Sequence, residues 1–258
     1  VVDLPIIGET KTTLQDMIKF LAEHNYVQQT NERKEWLNQI AEWREKVPLT
    51  YNKNGQLIKP QHVIETLYKV TKGNVIITTE VGQNQMWTAQ FFPFEKPNTL
   101  ITSGGLGTMG YGLPAAIGVK CAFPDKHVVD IAGDGSIQMN IQELATAAQY
   151  KINVKIVLLN NSYLGMVRQW QELFYDKRYS NTDMTYAPDF VKLAEAYGIA
   201  GLRAEKPEEV EPTLIEGLAL DRPVLMDFRI SREECVYPMV GPGSSIMDMK
   251  LGTREIIN

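Results

Sequence analysis

The chain has 258 residues, of which 44% are hydrophobic and 22% are charged, and these values are typical of a globular protein. Its 26 Lys and Arg against 31 Asp and Glu give a net charge of −5, so nucleic acid is not an expected partner. No apolar run approaches the roughly 20 residues of a membrane-spanning helix, so no membrane is expected either. Two cysteines, Cys121 and Cys235, are too few for a disulfide framework and fit a reducing compartment.

The N-terminal part of the chain is predicted to be mostly helical. Its first eight residues are typical of a strand that runs into a turn, and they lack an initiator Met. We therefore expect the chain to be part of a longer protein. Amphipathic helices are predicted over residues 10–24 and 31–46, and Pro48 ends the second. The polar segment 49–59 is predicted to be a loop or linker.

From residue 60 onward, helices alternate with short apolar strands. Helices are predicted over residues 60–70, 113–122, 139–150, 188–197 and 207–219. Strands are predicted over residues 74–79, 127–132, 153–159 and 223–230. Because continuous apolar strands between helices are typical of parallel sheets, we expect an α/β fold. It would be a doubly wound, mostly parallel sheet with helices on both faces, preceded by a helical linker.

One glycine motif, Gly105-Leu-Gly107-Thr-Met-Gly110, matches the G-x-G-x-x-G pattern of dinucleotide-binding proteins. Asp130 lies twenty residues further along, where such proteins carry an acidic ribose ligand. However, Asp130 falls inside the predicted strand 127–132 rather than at its end. Gly112 and Pro114 also disturb the start of the helix that follows. A nicotinamide or flavin site is therefore the less well supported interpretation of this segment.

A second motif, Gly133-Asp134-Gly135, is followed after 24 residues by Asn160-Asn161. Each part ends a predicted strand, so on adjacent parallel strands both would lie where open α/β sheets bind ligands. The oxygen atoms of Asp134 and Asn161 suit Mg²⁺, which often shares its coordination with phosphates. The glycines allow a diphosphate to approach the backbone, and a helix N-terminus favours its charge. The alternative is a tight turn and a strand cap without a ligand.

The G-D-G and N-N pair at this spacing is the signature of thiamine-diphosphate enzymes. The segments 103–118 and 166–175 then narrow the resemblance to the large catalytic subunit of acetohydroxyacid synthase (acetolactate synthase). The similarity extends over essentially all of residues 1–245, and segment 165–175 is the most family-specific part. It separates the chain from pyruvate oxidases, benzoylformate decarboxylases and glyoxylate carboligases. The resemblance implies the thiamine-diphosphate-binding fold.

The resemblance implies which residues bind a metal ion and which contact the diphosphate. The metal ligands are expected to be Asp134, Asn161 and the backbone carbonyl of Tyr163. The remaining expected cofactor contacts come from the turns after the strands and are Val81, Gly82, Gln83, Asn84, Gly133, Gly135, Ser136, Gly165 and Met166, together with Asn161 and Tyr163. Many family members have His where this chain has Asn84, which can donate a hydrogen bond but carries no charge.

The resemblance also implies residues that shape the cofactor and the second substrate. Met109 is expected to hold the cofactor in a bent conformation that brings its reacting groups together, and the carbonyl of Gly107 to accept from its amino group. Trp170, with Met166 and Val167, is expected to line the pocket for the second 2-ketoacid, where sulfonylurea and imidazolinone herbicides bind in the family. The alternatives are a core-filling role for Met109 and an apolar helix face for Trp170.

The resemblance divides the chain into four parts. Residues 1–25 are expected to be a remnant of the middle domain of FAD-binding type, and 26–59 a helical linker. Residues 60–235 form the thiamine-diphosphate- and Mg²⁺-binding domain, and 236–258 a lid over the active site or a plain tail. The N-terminal pyrimidine-binding domain, which carries the family's activating Glu, has no counterpart in the chain.

The expected activity is decarboxylation of pyruvate and carboligation to a second pyruvate or to 2-ketobutyrate. This reaction gives acetolactate or acetohydroxybutyrate in branched-chain amino-acid biosynthesis. The resemblance also implies a structural FAD, a homodimer or tetramer, and a small regulatory subunit. The expected location is the cytoplasm, as in bacteria, with an organelle still open. For the chain by itself, a catalytically silent module that binds Mg²⁺ and diphosphate is the alternative.

Overall fold

The computed structural model describes residues 2–26 and 33–252, which form two compact units, Val1–Pro48 and Leu49–Asn258. The first unit contains the helices α1 (Thr10–Glu23) and α2 (Lys34–Lys46). The side chain of Glu9 caps α1 by accepting from the backbone N–H of Thr12. The prediction of a strand before α1 is wrong for residues 2–8, because no described residue pairs with them. The predicted helix start at residue 31 and the last six residues of the predicted tail lie outside the described residues.

The second unit is built on a parallel sheet. Within the described residues its strands are β1 (Ile76–Thr79), β2 (Leu100–Thr102), β3 (Val128–Gly133), β4 (Lys155–Asn160), β5 (Ala200–Ala204) and β6 (Val224–Arg229). Their order is β2-β1-β3-β4-β6-β5, and every adjacent pair is parallel.

Helices cover both faces of the sheet. They are α3 (Pro60–Thr71), α4 (Gln83–Phe91), α5 (Gly112–Ala122), α6 (Glu143–Gln149), α7 (Gly165–Phe174), α8 (Phe190–Ala196) and α9 (Val210–Ala219). Alternate side chains of β3 enter two separate cores: Val129 and Ile131 join one with α3, α4 and α9, and Val128 joins the other with α5, α6 and α8. The structure therefore confirms the predicted doubly wound α/β class.

Some predicted boundaries change. The sequence pattern does not predict β2, β5 or α4, and the predicted helix over 139–150 divides into a 3-10 turn (Ile137–Asn140) and α6. The end of the predicted linker, residues 49–59, packs in the second unit, where Tyr51 and Ile58 are buried. Among the helices that the structure describes, none combines the length and hydrophobicity needed to span a bilayer.

The strand order fixes where a ligand can bind. The chain runs from β1 outward to β2 and then back across to β3, so the order reverses between β1 and β3. The helices that follow these two strands, α4 and α6, lie on opposite faces of the sheet. Such a reversal opens a crevice at the carboxyl ends of the strands, which is where open α/β sheets bind ligands.

Candidate active site

A cleft of about 100 Å³ opens at this reversal point, at the carboxyl edge of the sheet. All residues predicted to contact the cofactor or the metal line it, except Gly107. Gly107 lies beside it with a φ of +66°, and a Cβ built there would lie 3.9 Å from Cγ1 of Val81. The structure therefore brings together residues from four separate segments of the sequence.

The two parts of the G-D-G and N-N pair lie side by side. Gly133, the last residue of β3, is paired in register with Leu159 of β4, so the predicted adjacency of these strands is confirmed. Two glycines near them allow no side chain. A Cβ at Gly135 would lie 2.5 Å from Cδ2 of Leu164, and one at Gly165 would lie 2.0 Å from Oε1 of Gln83. A side chain at either position would therefore displace the end of the Leu164 or the Gln83 side chain, both of which line the cleft.

Asp134 is buried with only part of its carboxylate satisfied. Its Oδ1 accepts from the backbone N–H of Gly135 at 3.1 Å, whereas Oδ2 has no hydrogen-bond partner within the described part of the chain. Burial raises the pKa of Asp134 to about 7, against the effect of the backbone N–H groups of Ser162 and Gly135. A buried carboxylate oxygen without a partner is unfavourable unless a cation binds it. This orphaned atom is what a metal ligand at this position requires.

Asn161 and Tyr163 lie opposite Asp134 on a turn that two arginines support. Oδ1 of Asn161 accepts from the backbone N–H of Tyr163 at 3.0 Å, across Ser162 in the left-handed conformation. The guanidinium carbons of Arg168 and Arg232 lie 5.2 and 4.3 Å from the centre of the Tyr163 ring. Arg232 also donates to the backbone carbonyl of Asn161 at 3.4 Å. These cation–π contacts and the hydrogen bond hold the turn in place.

The oxygen atoms at this point fit a hard divalent cation. The described residues contain no group of three or more His, Cys, Asp and Glu side chains placed to hold a metal. The candidate set instead combines the carboxylate of Asp134 with the neutral amide and carbonyl oxygens of Asn161 and Tyr163. Mg²⁺ accepts such a sparse set because it completes its octahedral shell with water and phosphate oxygens.

Two helix N-termini form one side of the cleft. The helices α4 and α7 begin at Gln83 and Gly165, both of which line the cleft, and neither start has a side-chain cap. Their first N–H groups are therefore available to an anion, and their dipoles favour one.

The side chains of the turn after β1 are occupied by protein contacts. Both N–H groups of Asn84 bond to backbone carbonyls, of Glu80 at 3.0 Å and of Ile131 at 2.8 Å. Nε2 of Gln83 donates to Oε1 of Gln169 at 2.8 Å. The structure thus leaves the side chain of Asn84 no N–H to donate to a phosphate. Its amide ties the turn after β1 to the end of β3, and a diphosphate would bind the main chain here.

A second pocket adjoins the cleft along α7. Met166 and Val167 line both, whereas Trp170 lines only the second pocket, together with Gln171 and Tyr175. The rings of Trp170 and Phe174 meet edge to face with 5.7 Å between centroids. The predicted substrate residues are therefore grouped on one helix, beside the predicted cofactor residues.

Three buried residues lie near the cleft, and two of them, Glu80 and Trp87, are not identified by the sequence patterns. Glu80 follows β1 and is fully buried. Asp130, the residue on which the dinucleotide interpretation depends, is also fully buried inside β3, hydrogen-bonded to Thr78, and cannot reach a ribose. Trp87 lines the cleft, and its indole Nε1 has no partner among the described residues. A charged residue at the end of an apolar strand is the signal that points to Glu80.

Comparison with known proteins agrees with this geometry. Residues 80–228 match the family described as thiamine pyrophosphate enzyme, C-terminal TPP binding domain. The chain is 48% identical to the acetolactate synthase isozyme 3 large subunit of Escherichia coli K12, over 98% of this chain and 45% of that protein. It is 45% identical to the acetolactate synthase large subunit of Corynebacterium glutamicum, over 100% of this chain and 42% of that protein. It is 51% identical to the mitochondrial acetolactate synthase of Schizosaccharomyces pombe, over 83% of this chain and 33% of that protein.

The chain spans less than half the length of these curated relatives. The identities nevertheless confirm the predicted resemblance to acetolactate synthase large subunits. The family match, from Glu80 to Phe228, covers every residue that lines the cleft. The chain therefore belongs to the thiamine pyrophosphate enzymes, and its second unit contains their C-terminal cofactor-binding domain.

Proposed function

We propose that the protein binds thiamine diphosphate through Mg²⁺ in this cleft and that it acts in acetolactate synthesis. The reaction would decarboxylate pyruvate and join the product to a second 2-ketoacid, either pyruvate or 2-ketobutyrate. The observation that carries the proposal is the orphaned Oδ2 of Asp134, buried beside two uncapped helix N-termini. A cation with an attached diphosphate satisfies both features at once.

The proposed metal ligands are Asp134, Asn161 and the carbonyl of Tyr163. The carboxylate would neutralise part of the cation's charge, and the supported turn would hold the other two oxygens. The phosphate oxygens would accept from main-chain N–H groups at the starts of α4 and α7 and after Gly133, near Gly135 and Ser136. When bound, thiamine diphosphate supplies the carbon nucleophile that decarboxylation of a 2-ketoacid needs.

Met109 and Gly107 are proposed to shape the cofactor's bent conformation. Met109 lines the cleft, which supports a contact with the middle of the cofactor. Gly107 lies next to Val81 of the diphosphate turn in a left-handed conformation, so its carbonyl direction depends on having no side chain.

Trp170, Met166 and Val167 are proposed to select the second substrate. A flat apolar wall favours the ethyl group of 2-ketobutyrate over the methyl group of pyruvate. The preference that one methylene provides is limited to about 1–3 kcal/mol. The pocket along α7 supports this assignment because it joins the cofactor cleft through Met166 and Val167.

The wider organisation is proposed from the family. Residues 1–25 would belong to a middle domain that binds a structural FAD, 26–59 to a linker, 60–235 to the cofactor domain and 236–258 to a lid. A homodimer or tetramer is proposed, and the name "large subunit" of the bacterial relatives supports a small regulatory partner. A cytoplasmic location is proposed for a bacterial protein, although mitochondrial relatives also exist.

Isothermal titration calorimetry tests the binding proposal. We expect Mg²⁺-dependent binding of thiamine diphosphate that Asp134→Ala abolishes, because this variant removes the charged ligand. The exposed Asp125, which precedes β3 at the opposite edge of the sheet, provides the control variant Asp125→Ala, which should bind normally. Tight binding of NAD(H) without a response to thiamine diphosphate would refute the site assignment.

A catalytically silent module is the second candidate for the chain by itself, because the chain spans less than half of its relatives' length. Formation of acetolactate from pyruvate decides between the two. Turnover by the chain alone would exclude the silent module. Turnover only in the protein at its natural length would support it for this segment.

A further inference from the structure

Glu80 holds the loop that precedes α5. Its carboxylate is fully buried at the end of β1, where Oε2 accepts from the backbone N–H of Gly110 at 2.6 Å and Oε1 accepts from that of Leu113 at 3.1 Å. These are N–H groups at and just before the start of an 11-residue helix, so a negative charge is favoured there. The two bonds fix the loop segment that immediately follows Met109.

A second buried carboxyl lies close to Glu80 but does not touch the loop's N–H groups. Asp130 shares the hydroxyl of Thr78 with the carbonyl of Gly112, each at 3.0 Å. The single proton of that hydroxyl is donated toward both acceptors and cannot fully satisfy either, which disfavours a charge on Asp130. Burial and the nearby charge of Glu80 raise the pKa of Asp130 well above its ordinary range, in agreement with a neutral side chain.

The geometry favours the charge on Glu80, because both of its carboxylate oxygens accept from backbone N–H groups, whereas Oδ2 of Asp130 has no partner in the described residues. Burial raises the pKa of Glu80 as well, but the backbone N–H groups of residues 110–113 act against this rise. The main chain of Glu80 is tied to the other side of the cleft, because its carbonyl accepts from Asn84 at 3.0 Å. One residue thus connects the proposed diphosphate turn, through its backbone, to the loop of Gly107 and Met109, through its side chain.

We propose that Glu80 is a positioning residue that sets the distance between the diphosphate turn and the Met109 loop, and thereby the affinity for the organic part of thiamine diphosphate. This inference rests on the proposed function. Asp130 would contribute as a neutral group that a side-chain amide can replace. Glu80 cannot be replaced in this way, because a glutamine presents one N–H₂ group where two backbone N–H groups require acceptors.

The test compares two ligands with the same metal. Thiamine diphosphate needs both the turn and the Met109 loop, whereas inorganic pyrophosphate needs only the turn and Mg²⁺. We expect Glu80→Gln to raise the Kd of thiamine diphosphate roughly tenfold or more, as the loss of a charged acceptor for two buried donors implies. The Kd of Mg²⁺-pyrophosphate should change less than about twofold, and Asp130→Asn should leave both values within about twofold. Calorimetry on the protein at its natural length measures all four.

The outcomes separate this inference from the proposed function. If the unmodified protein binds pyrophosphate but not thiamine diphosphate, the proposed function is refuted, whatever the variants show. If it binds both, and Glu80→Gln weakens both equally or neither, the positioning role is wrong. The role is also wrong if Asp130→Asn weakens the binding of thiamine diphosphate as much as Glu80→Gln does and leaves that of pyrophosphate unchanged. The effect would then come from both acids together and not from Glu80. If Glu80→Gln does not fold, Glu80→Asp is measured instead; its shorter side chain reaches only one of the two N–H groups, and the same selective loss is expected.

Discussion

Asp134→Asn is expected to stabilise the metal-free protein while it removes the proposed Mg²⁺ site. The substitution keeps the shape of the side chain, and its amide oxygen can still accept from the backbone N–H of Gly135. It removes a charge that is 99% shielded from solvent and has one oxygen without a partner in the described residues. The same substitution is therefore expected to raise the stability of the metal-free fold and to weaken the binding of the cofactor.

The size of the effect follows from the pKa of Asp134, which burial raises from 3.8 to about 7. An acid with a raised pKa binds its proton more tightly in the folded state, so stability falls as the pH rises from 3.8 toward 7 and is constant above that. Each pKa unit corresponds to about 1.4 kcal/mol, which gives a penalty of about 2 kcal/mol at pH 5 and about 4 kcal/mol at pH 8. Because Asn does not titrate, the free energy of unfolding of Asp134→Asn relative to that of the unmodified protein should rise by about 2–3 kcal/mol from pH 5 to pH 8.

Urea denaturation with a chelator present, at pH 5 and at pH 8, measures this difference. The variant Asp125→Asn, at an exposed position, serves as the control and should show no pH-dependent gain. With Mg²⁺ and thiamine diphosphate at about 100 times their Kd, the unmodified protein should gain about 2.7 kcal/mol and the Asn variant nothing. A stability difference that is constant with pH, or an Asn variant that is less stable at pH 8, would refute the reasoning.

Three further predictions concern packing and specificity. A Cβ at Gly112 would lie 2.6 Å from the backbone nitrogen of Glu80, so Gly112→Ala should lower the free energy of unfolding by about 3 kcal/mol or more in urea denaturation. In the same helix, nothing lies within 4 Å of a Cβ built at Gly118. Gly118→Ala should therefore raise the free energy of unfolding by up to about 1 kcal/mol. Trp170→Ala should lower the preference for 2-ketobutyrate over pyruvate by roughly tenfold in a competition assay of the two products. Phe228→Ala, at a fully buried position of β6, should lower stability by about 3–5 kcal/mol in the same denaturation assay.

The sheet could be predicted only where strands are enclosed. The four predicted strands correspond to β1, β3, β4 and β6, which are the interior strands of the order β2-β1-β3-β4-β6-β5. Both of their faces are covered by helices, so they are continuous apolar runs. All residues of the edge strand β2 and the three central residues of the edge strand β5 are only half-buried, and β5 contains Gly201 and Arg203. Nothing in such a sequence separates an edge strand from a loop.

The candidate site was predictable where it consists of residues directly after strands. Asp134 and Asn161 are placed by β3 and β4 alone, and a local motif identifies them. The helix α4 is different, because its buried residues include Gln83 and Asn84, and buried polar side chains hide its apolar periodicity. Glu80 is harder still, because its partners are backbone N–H groups 30 and 33 residues away. A backbone donor leaves no trace in the sequence.

Four acidic side chains are buried in the described residues, and Asp227 is paired with Arg203 and Arg229. The other three each meet the unfavourable loss of water in a different way. Glu80 retains its charge, since two backbone N–H groups bind its two oxygens. Burial raises the pKa of Asp130 well above its ordinary range, which favours its protonated form; its Oδ2 has no partner in the described residues, but it lies within β3 and outside the cleft. Asp134 has an equally unpaired oxygen and lines the cleft. An external cation can therefore satisfy only Asp134. This difference in access, more than burial or a raised pKa, separates the candidate metal ligand from the two acids that organise the protein around it.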